Sequence, residues 1–179
     1  MASYQEIKLP IEGAKLYLNR VVSDSRGHFM DLAETDNPSV GSIQHIHSAI
    51  ALHQGVSRGE HYHLRVVEDF YTLSGTSLGI LHDFNEESPT FGTTFAYVSG
   101  NKSDSVKTNL PTYYIEDGTL AQIRVMPKVW HAWWPLTDKE VVIVALGTLG
   151  YDPEDYSKPK AAEIPGVMEI LKTYGINTD

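Results

Sequence analysis

The 179-residue chain has no cysteine, so disulfides, zinc ribbons and thiol nucleophiles are excluded. No apolar run approaches the roughly 18 residues of a membrane span, and the start, Met1 to Lys8, lacks the apolar stretch of a secretion signal. Positive charge is scarce. Lys and Arg number 14 against 23 Asp and Glu, a net charge of −9, with no tract of adjacent basic residues. Nucleic-acid binding needs a basic patch that releases counterions, so the balance argues against it. The expectation is a soluble cytoplasmic protein whose partners are neither nucleic acid nor membrane. What the chain does have is a core-forming 41% of hydrophobic residues and eight histidines, five of them between His45 and His63.

Helical periodicity is also sparse. Short β-type runs separated by turn residues dominate: Ala14 to Val22, Val66 to Leu73, Leu78 to His82, Phe91 to Val98, Thr112 to Glu116, Thr119 to Met126 and Val141 to Leu146. Asp117-Gly118 reads as a hairpin turn. Many strands at this spacing predict an all-β sandwich or barrel. One helix is expected, at about residues 165–175, with Pro165 at its start, Val167, Ile170, Leu171 and Tyr174 on one face, and Gly175 at its end. It should pack on the outside of the β body. The acidic stretches Asn85 to Glu87 and Asp152 to Asp155 read as solvated loops.

His61 and His63 are one residue apart, which on a strand puts both side chains on one face. With Gly55, Glu68 and Gly75 they spell G-x5-H-x-H-x4-E-x6-G. This resembles the first motif of the cupin superfamily, and Pro127 to His131 resembles part of the second. The resemblance implies a double-stranded β-helix, or jelly roll, over a single domain of residues 1–179, with motif side chains pointing into the barrel. Two histidines, a carboxylate and a third histidine could ligate a metal: His61, His63, Glu68 and His131. Zn or Fe suits those ligand types.

Within the cupins the chain resembles the dTDP-4-dehydrorhamnose 3,5-epimerase group. The matching pieces are Asp24 to Asp31 (D-x-R-G-x-F-x-E), Gln44 to Ser48 (Q-x-N-H-S), Arg58 to Tyr62 (R-G-L-H-Y), Ser88 to Gly92 (S-P-T-F-G) and Tyr151 to Glu154 (Y-x-P-E). The resemblance implies an isomerase or epimerase acting on a nucleotide-linked 4-keto-6-deoxyhexose, with His61 as the base that removes a proton next to the ketone. It implies that Arg26 and Arg58 meet one nucleotide diphosphate, that Asp31 and Gln44 belong to the substrate site, and that subunits pair as a homodimer by strand exchange, with Ala14 to Val22 the candidate strand. Trp133 is a candidate stacking surface for substrate, with core packing its plain alternative. On this resemblance no cofactor is required.

Three positions depart from the family pattern. Glu68 falls where the family has an enolate-stabilising lysine. Ala145 falls where it has a tyrosine proton donor. No counterpart is evident for the aspartate that orients the base histidine. The triplet His61-Tyr62-His63 also resembles the R-G-x-H-x-H of nucleotide-sugar 3,4-ketoisomerases, in which two histidines, here His61 and His63, shuttle protons on one face. Two other readings stand beside these: a metal-dependent cupin of another reaction, and a non-catalytic sugar-binding cupin. Tyr62 and Tyr71 flank the motif, and packing is their plain reading.

Overall fold

The computed structural model describes residues 4–33, 38 and 41–177. Their strands are β1 (Tyr4–Ile7), β2 (Ala14–Asp24), β3 (Gly27–Met30), β4 (His45–Ala51), β5 (Arg58–His63), β6 (Glu68–Ser74), β7 (Thr76–Asp83), β8 (Thr94–Gly100), β9 (Thr112–Tyr114), β10 (Thr119–Val125), β11 (Val129–Pro135), β12 (Val141–Gly147) and β13 (Tyr156–Ser157). They form two sheets. The first runs β1-β2-β10-β6-β12-β4, with β3 folded back on β2, and the second runs β13-β5-β11-β7-β8-β9. This is the expected jelly roll.

Alternation along the strands sends one set of side chains between the sheets. Leu16, Phe70, Ile123 and Ile143 of the first sheet meet Leu81, Tyr97, Val129 and Trp133 of the second. The opposite face of the second sheet is also apolar, carrying Leu78, Ile80, Trp130 and Trp134. It is covered by Ala161, Ile164 and the single α-helix, α1 (Val167–Thr173). Val167 and Leu171 are fully buried there, each contributing about 1.5–3 kcal/mol. The helix is shorter than expected. Pro165 lies outside it, and Gly166, in the left-handed region at φ 79, is its N-cap.

Gly75 makes the tight connection from β6 to β7 at φ 77, where a Cβ would lie 2.2 Å from the Glu140 carbonyl oxygen. Two local expectations change. Asp117-Gly118 is not a hairpin: a 3-10 turn over Ile115–Asp117 separates β9, which runs parallel to β8, from β10, which pairs with β2 and β6. The strand expected from Phe91 begins at Thr94, because the preceding loop is gathered by Asp83, whose carboxylate accepts from the Ser88 and Thr90 hydroxyls at 2.6 and 2.7 Å.

The candidate exchanged strand, Ala14 to Val22, lies inside β2. It is paired to β1 and β3 along one side and to β10 on the other. It therefore offers no free edge. Among the described residues, the last strand of the first sheet, β4, pairs only with β12.

Candidate active site

A small cavity of about 80 Å³ lies between the sheets. Strands β5 and β11 form one wall and present Arg58, His61, His63, His131 and Trp133. Strands β4, β6 and β12 form the facing wall and present His47, Ala49, Glu68, Phe70, Ile143 and Ala145. Tyr156 of β13 closes the side, its ring 5.0 Å from His61 and 4.5 Å from His63.

A bulge in β5 shapes the first wall. His131 pairs with His61 and Ala132 with Gly59, which leaves Glu60 as the extra residue. Gly59 and Glu60 both sit at positive φ, 97 and 56. Only glycine fits at position 59, because a Cβ there would lie 2.5 Å from the His131 carbonyl oxygen. The strained Glu60 is held by the Ser57 hydroxyl and the Ala161 amide, which both donate to its carboxylate. In a regular strand Arg58 and His61 would face opposite ways; the added residue turns both to the cavity.

The three motif histidines are in different states. His61 Nδ1 donates to the Gly59 carbonyl at 3.1 Å, and His131 Nδ1 donates to the Val129 carbonyl at 3.1 Å. A carbonyl only accepts, so each ring keeps a lone pair on Nε2. Burial pushes both pKa values down, that of His131 most strongly. His131 Nε2 is buried with no hydrogen-bond partner among the described residues. His63 is the opposite case. Its Nε2 lies 2.9 Å from Glu68 Oε2 and its Nδ1 2.9 Å from Asp155 Oδ2. Burial alone would lower its pKa, but the hydrogen bonds and charges of the two carboxylates outweigh it and raise the value. Asp155 also accepts from Arg65 Nε at 3.1 Å, and Arg65 reaches Asp152. A chain of alternating charge thus runs from Glu68 to the surface.

The expected metal ligands do converge. One ligand atom each from His61, His63, Glu68 and His131 lie within 4.8 Å of one another. Trp133 forms part of the cavity wall, but its Nε1–H is committed to the Tyr97 hydroxyl at 2.9 Å. Arg58 lines the cavity, and its Nε donates to the Ile50 carbonyl at 2.6 Å. Arg26 is not brought there. It sits at the turn between β2 and β3, its side chain 88% exposed and paired with Asp24, in a separate surface hollow. Within one chain the two arginines share no anion site. Asp31 and Gln44 are exposed and line no part of the cavity. Tyr62 stacks on Phe84, and the Tyr71 hydroxyl donates to the Leu32 carbonyl, so both serve packing.

Three residues of the site escaped the sequence reading. Asp155, taken for a solvated loop residue, is 1% exposed and supplies the aspartate partner that seemed to be missing. It binds His63, however, rather than His61. Tyr156 follows it and pairs in register with His63. His47 faces the cavity because β4 alternates, with Ile46, Ser48 and Ile50 outward. The run of acids in Asp152 to Asp155 hides the one that is buried; the β-like alternation around His45 and His47 was the available signal for the other.

No family model matches the chain. The chain is similar to the spore coat polysaccharide biosynthesis protein SpsL of Bacillus subtilis, with 26% identity over 164 residues, covering 90% of this chain and 93% of that protein. Its fold matches that of a dTDP sugar isomerase from Desulfovibrio desulfuricans, with a TM-score of 0.70, 20% identity, and coverage of 89% of this chain and 92% of the other. It also matches NovW, a 4-keto-6-deoxy sugar epimerase from Streptomyces spheroides, with a TM-score of 0.68, 18% identity, and coverage of 87% and 73%.

Proposed function

We propose that the protein is an isomerase of nucleotide-linked 4-keto-6-deoxyhexoses, an epimerase or ketoisomerase in which His61 removes the proton next to the ketone. One observation carries this reading. The His61 Nδ1–H is tied to the Gly59 carbonyl, so an unprotonated Nε2 on a ring that burial keeps neutral belongs to the cavity wall. That is the state a general base requires at neutral pH. Glu68, in the place of a lysine, does not confront the enolate as a bare carboxylate, because His63 is bonded to it. A cavity of about 80 Å³ admits only the reacting edge of a sugar. The nucleotide stays outside, where the terminal nitrogens of Arg58 suit its phosphates. The similarity to a polysaccharide biosynthesis protein and to sugar isomerases supports the substrate class. The test is proton NMR of dTDP-4-keto-6-deoxyglucose with the protein in D2O. Loss of the signals beside the ketone supports the reading, and their persistence ends it.

A second reading has its own observation: the four convergent ligand atoms, with the buried His131 Nε2 left without a partner among the described residues. The donor set fits Zn or Fe, held by His61, His63, Glu68 and His131. A bound metal would supply Lewis-acid polarisation of the substrate oxygen. Asp155 would then fix the orientation of the His63 ring. Elemental analysis of untagged protein decides between the two, since a metal-free protein that is active, and remains so as Glu68→Gln, removes the metal.

A homodimer is part of the proposal. Ile46 and Ile50 are exposed on the edge strand β4, an edge that a second chain would cover. Sedimentation at tens of micromolar is the measurement, and a monomer would refute it.

A further inference from the structure

Inverting a carbon beside a ketone needs proton transfer on both faces of the sugar. This inference rests on the isomerase reading above and concerns the face away from His61. The two walls of the cavity come from different sheets, and the His61 wall belongs to β5 and β11. On the facing wall, four of the six lining residues are Ala49, Phe70, Ile143 and Ala145, which carry no exchangeable side-chain proton. Glu68 is engaged with His63 at 2.9 Å. His47 is the remaining group. Its Nδ1 is buried and has no hydrogen-bond partner among the described residues. It stands directly across the β4–β12 ladder from Ala145, whose methyl group leaves the space in front of that wall open.

We propose that His47 is the catalytic proton donor on the face opposite His61. His61 Nε2 takes the proton from the carbon next to the ketone, and the electron pair of that C–H bond moves onto the ketone oxygen as an enolate. Burial, with the His45 and His63 charges, lowers the His47 pKa against the opposing Glu68 charge, so the ring is a stronger acid once it has taken up a proton. It delivers that proton to the same carbon from the other side, and the electron pair returns from oxygen to form the new C–H bond. The net change is inversion, with one proton gained by His61 and one lost by His47. Between turnovers both rings re-equilibrate with water. The half-exposed His45, its ring 4.9 Å from that of His47, provides the path on that side.

The experiment separates proton removal from inversion. Wild type, His47→Asn and His47→Gln are incubated with dTDP-4-keto-6-deoxyglucose in D2O, and deuterium entry and configuration are followed by NMR. In wild type both should proceed. In a folded His47 variant, deuterium entry should continue within a few-fold of wild type, while inverted product falls by roughly 100-fold or more. The recovered substrate should then be deuterated with its configuration retained. Inversion within about three-fold of wild type overturns the role of His47 alone. So does a parallel loss of exchange and inversion in a variant whose thermal unfolding matches wild type. The glutamine variant serves where asparagine does not fold. Absence of any exchange with wild type is a different failure: it overturns the isomerase reading, and this inference with it.

Discussion

Strand β11 has two faces with opposite fates. Val129, His131 and Trp133 point between the sheets, while Trp130, Ala132 and Trp134 point into the layer beneath the C-terminal segment. Both faces are buried. The outer one is closed by apolar groups; its Trp130 Nε1–H finds the Pro159 carbonyl at 3.0 Å, while its Trp134 Nε1–H has no hydrogen-bond partner among the described residues. The inner one keeps a histidine whose Nε2, beside a cavity, has no hydrogen-bond partner among the described residues. Burial is therefore not what distinguishes a functional residue here. The distinction is whether an unpartnered buried atom borders a cavity. His131 Nε2 does, while Trp134 Nε1 is closed in by the apolar layer, and leaving either unmet costs about 1–3 kcal/mol that packing has to offset.

Four substitutions would break or sharpen that contrast. The largest effect is expected on the inner wall: His61→Asn should lower solvent exchange into the keto-sugar by roughly 100- to 10,000-fold, with the melting temperature little changed. NMR in D2O and calorimetry read the two sides, and an active variant would remove His61 as the base. On the outer face the roles reverse. Trp130→Ala should cost about 3–5 kcal/mol of stability in urea unfolding, with activity per folded molecule unchanged; a smaller cost than about 1 kcal/mol would mean that the layer under the helix is not a packed core.

A third variant bears on the charged chain behind the inner wall. Asp155→Asn replaces the charged acceptor beside His63 with a neutral amide and should cost about 1.5–3 kcal/mol near pH 6. The folded protein raises the His63 pKa above its ordinary 6.5. Its stabilisation is thus complete below that ordinary value and disappears as pH rises through the raised one. The gap between wild type and variant should narrow from pH 6 to pH 9, and a gap that widens would refute the imidazolium assignment. The smallest effect belongs to Arg26→Ala. Its exposed pairing with Asp24 should leave stability unchanged, and in a monomeric chain it should leave nucleotide binding unchanged as well. Weakened binding measured by calorimetry on a monomer would show that the hairpin reaches the cavity.

The motif of His61, His63 and Glu68 was legible because its logic is local. Period-two alternation fixes which side chains share a face, and Gly75 marks the turn that carries the chain from β6 to β7 in the other sheet. His131 was legible through a resemblance rather than through spacing. The β5 bulge was not legible as such, since Gly59 shows where a backbone must come close only once the His131 carbonyl is in place. Arg26, Asp31 and Gln44 match motif pieces as well as Arg58 does, yet only Arg58 reaches the cavity. A short motif records a residue's neighbours in the chain, and these four lie on different turns and strands.

By itself the sequence determined an all-β sandwich or barrel, one terminal helix and a histidine-carboxylate cluster, because periodicity and turn residues act over a few residues; the jelly roll was what the resemblance implied. Tertiary structure decided which histidine has its pKa raised by carboxylates and which have theirs lowered by burial. Asp155 reaches His63 across 92 positions through the β13–β5 pairing, and His47 faces the cavity through the register of β4 on β12. Electrostatic state depends on distance in space, and strand pairing between remote segments sets those distances.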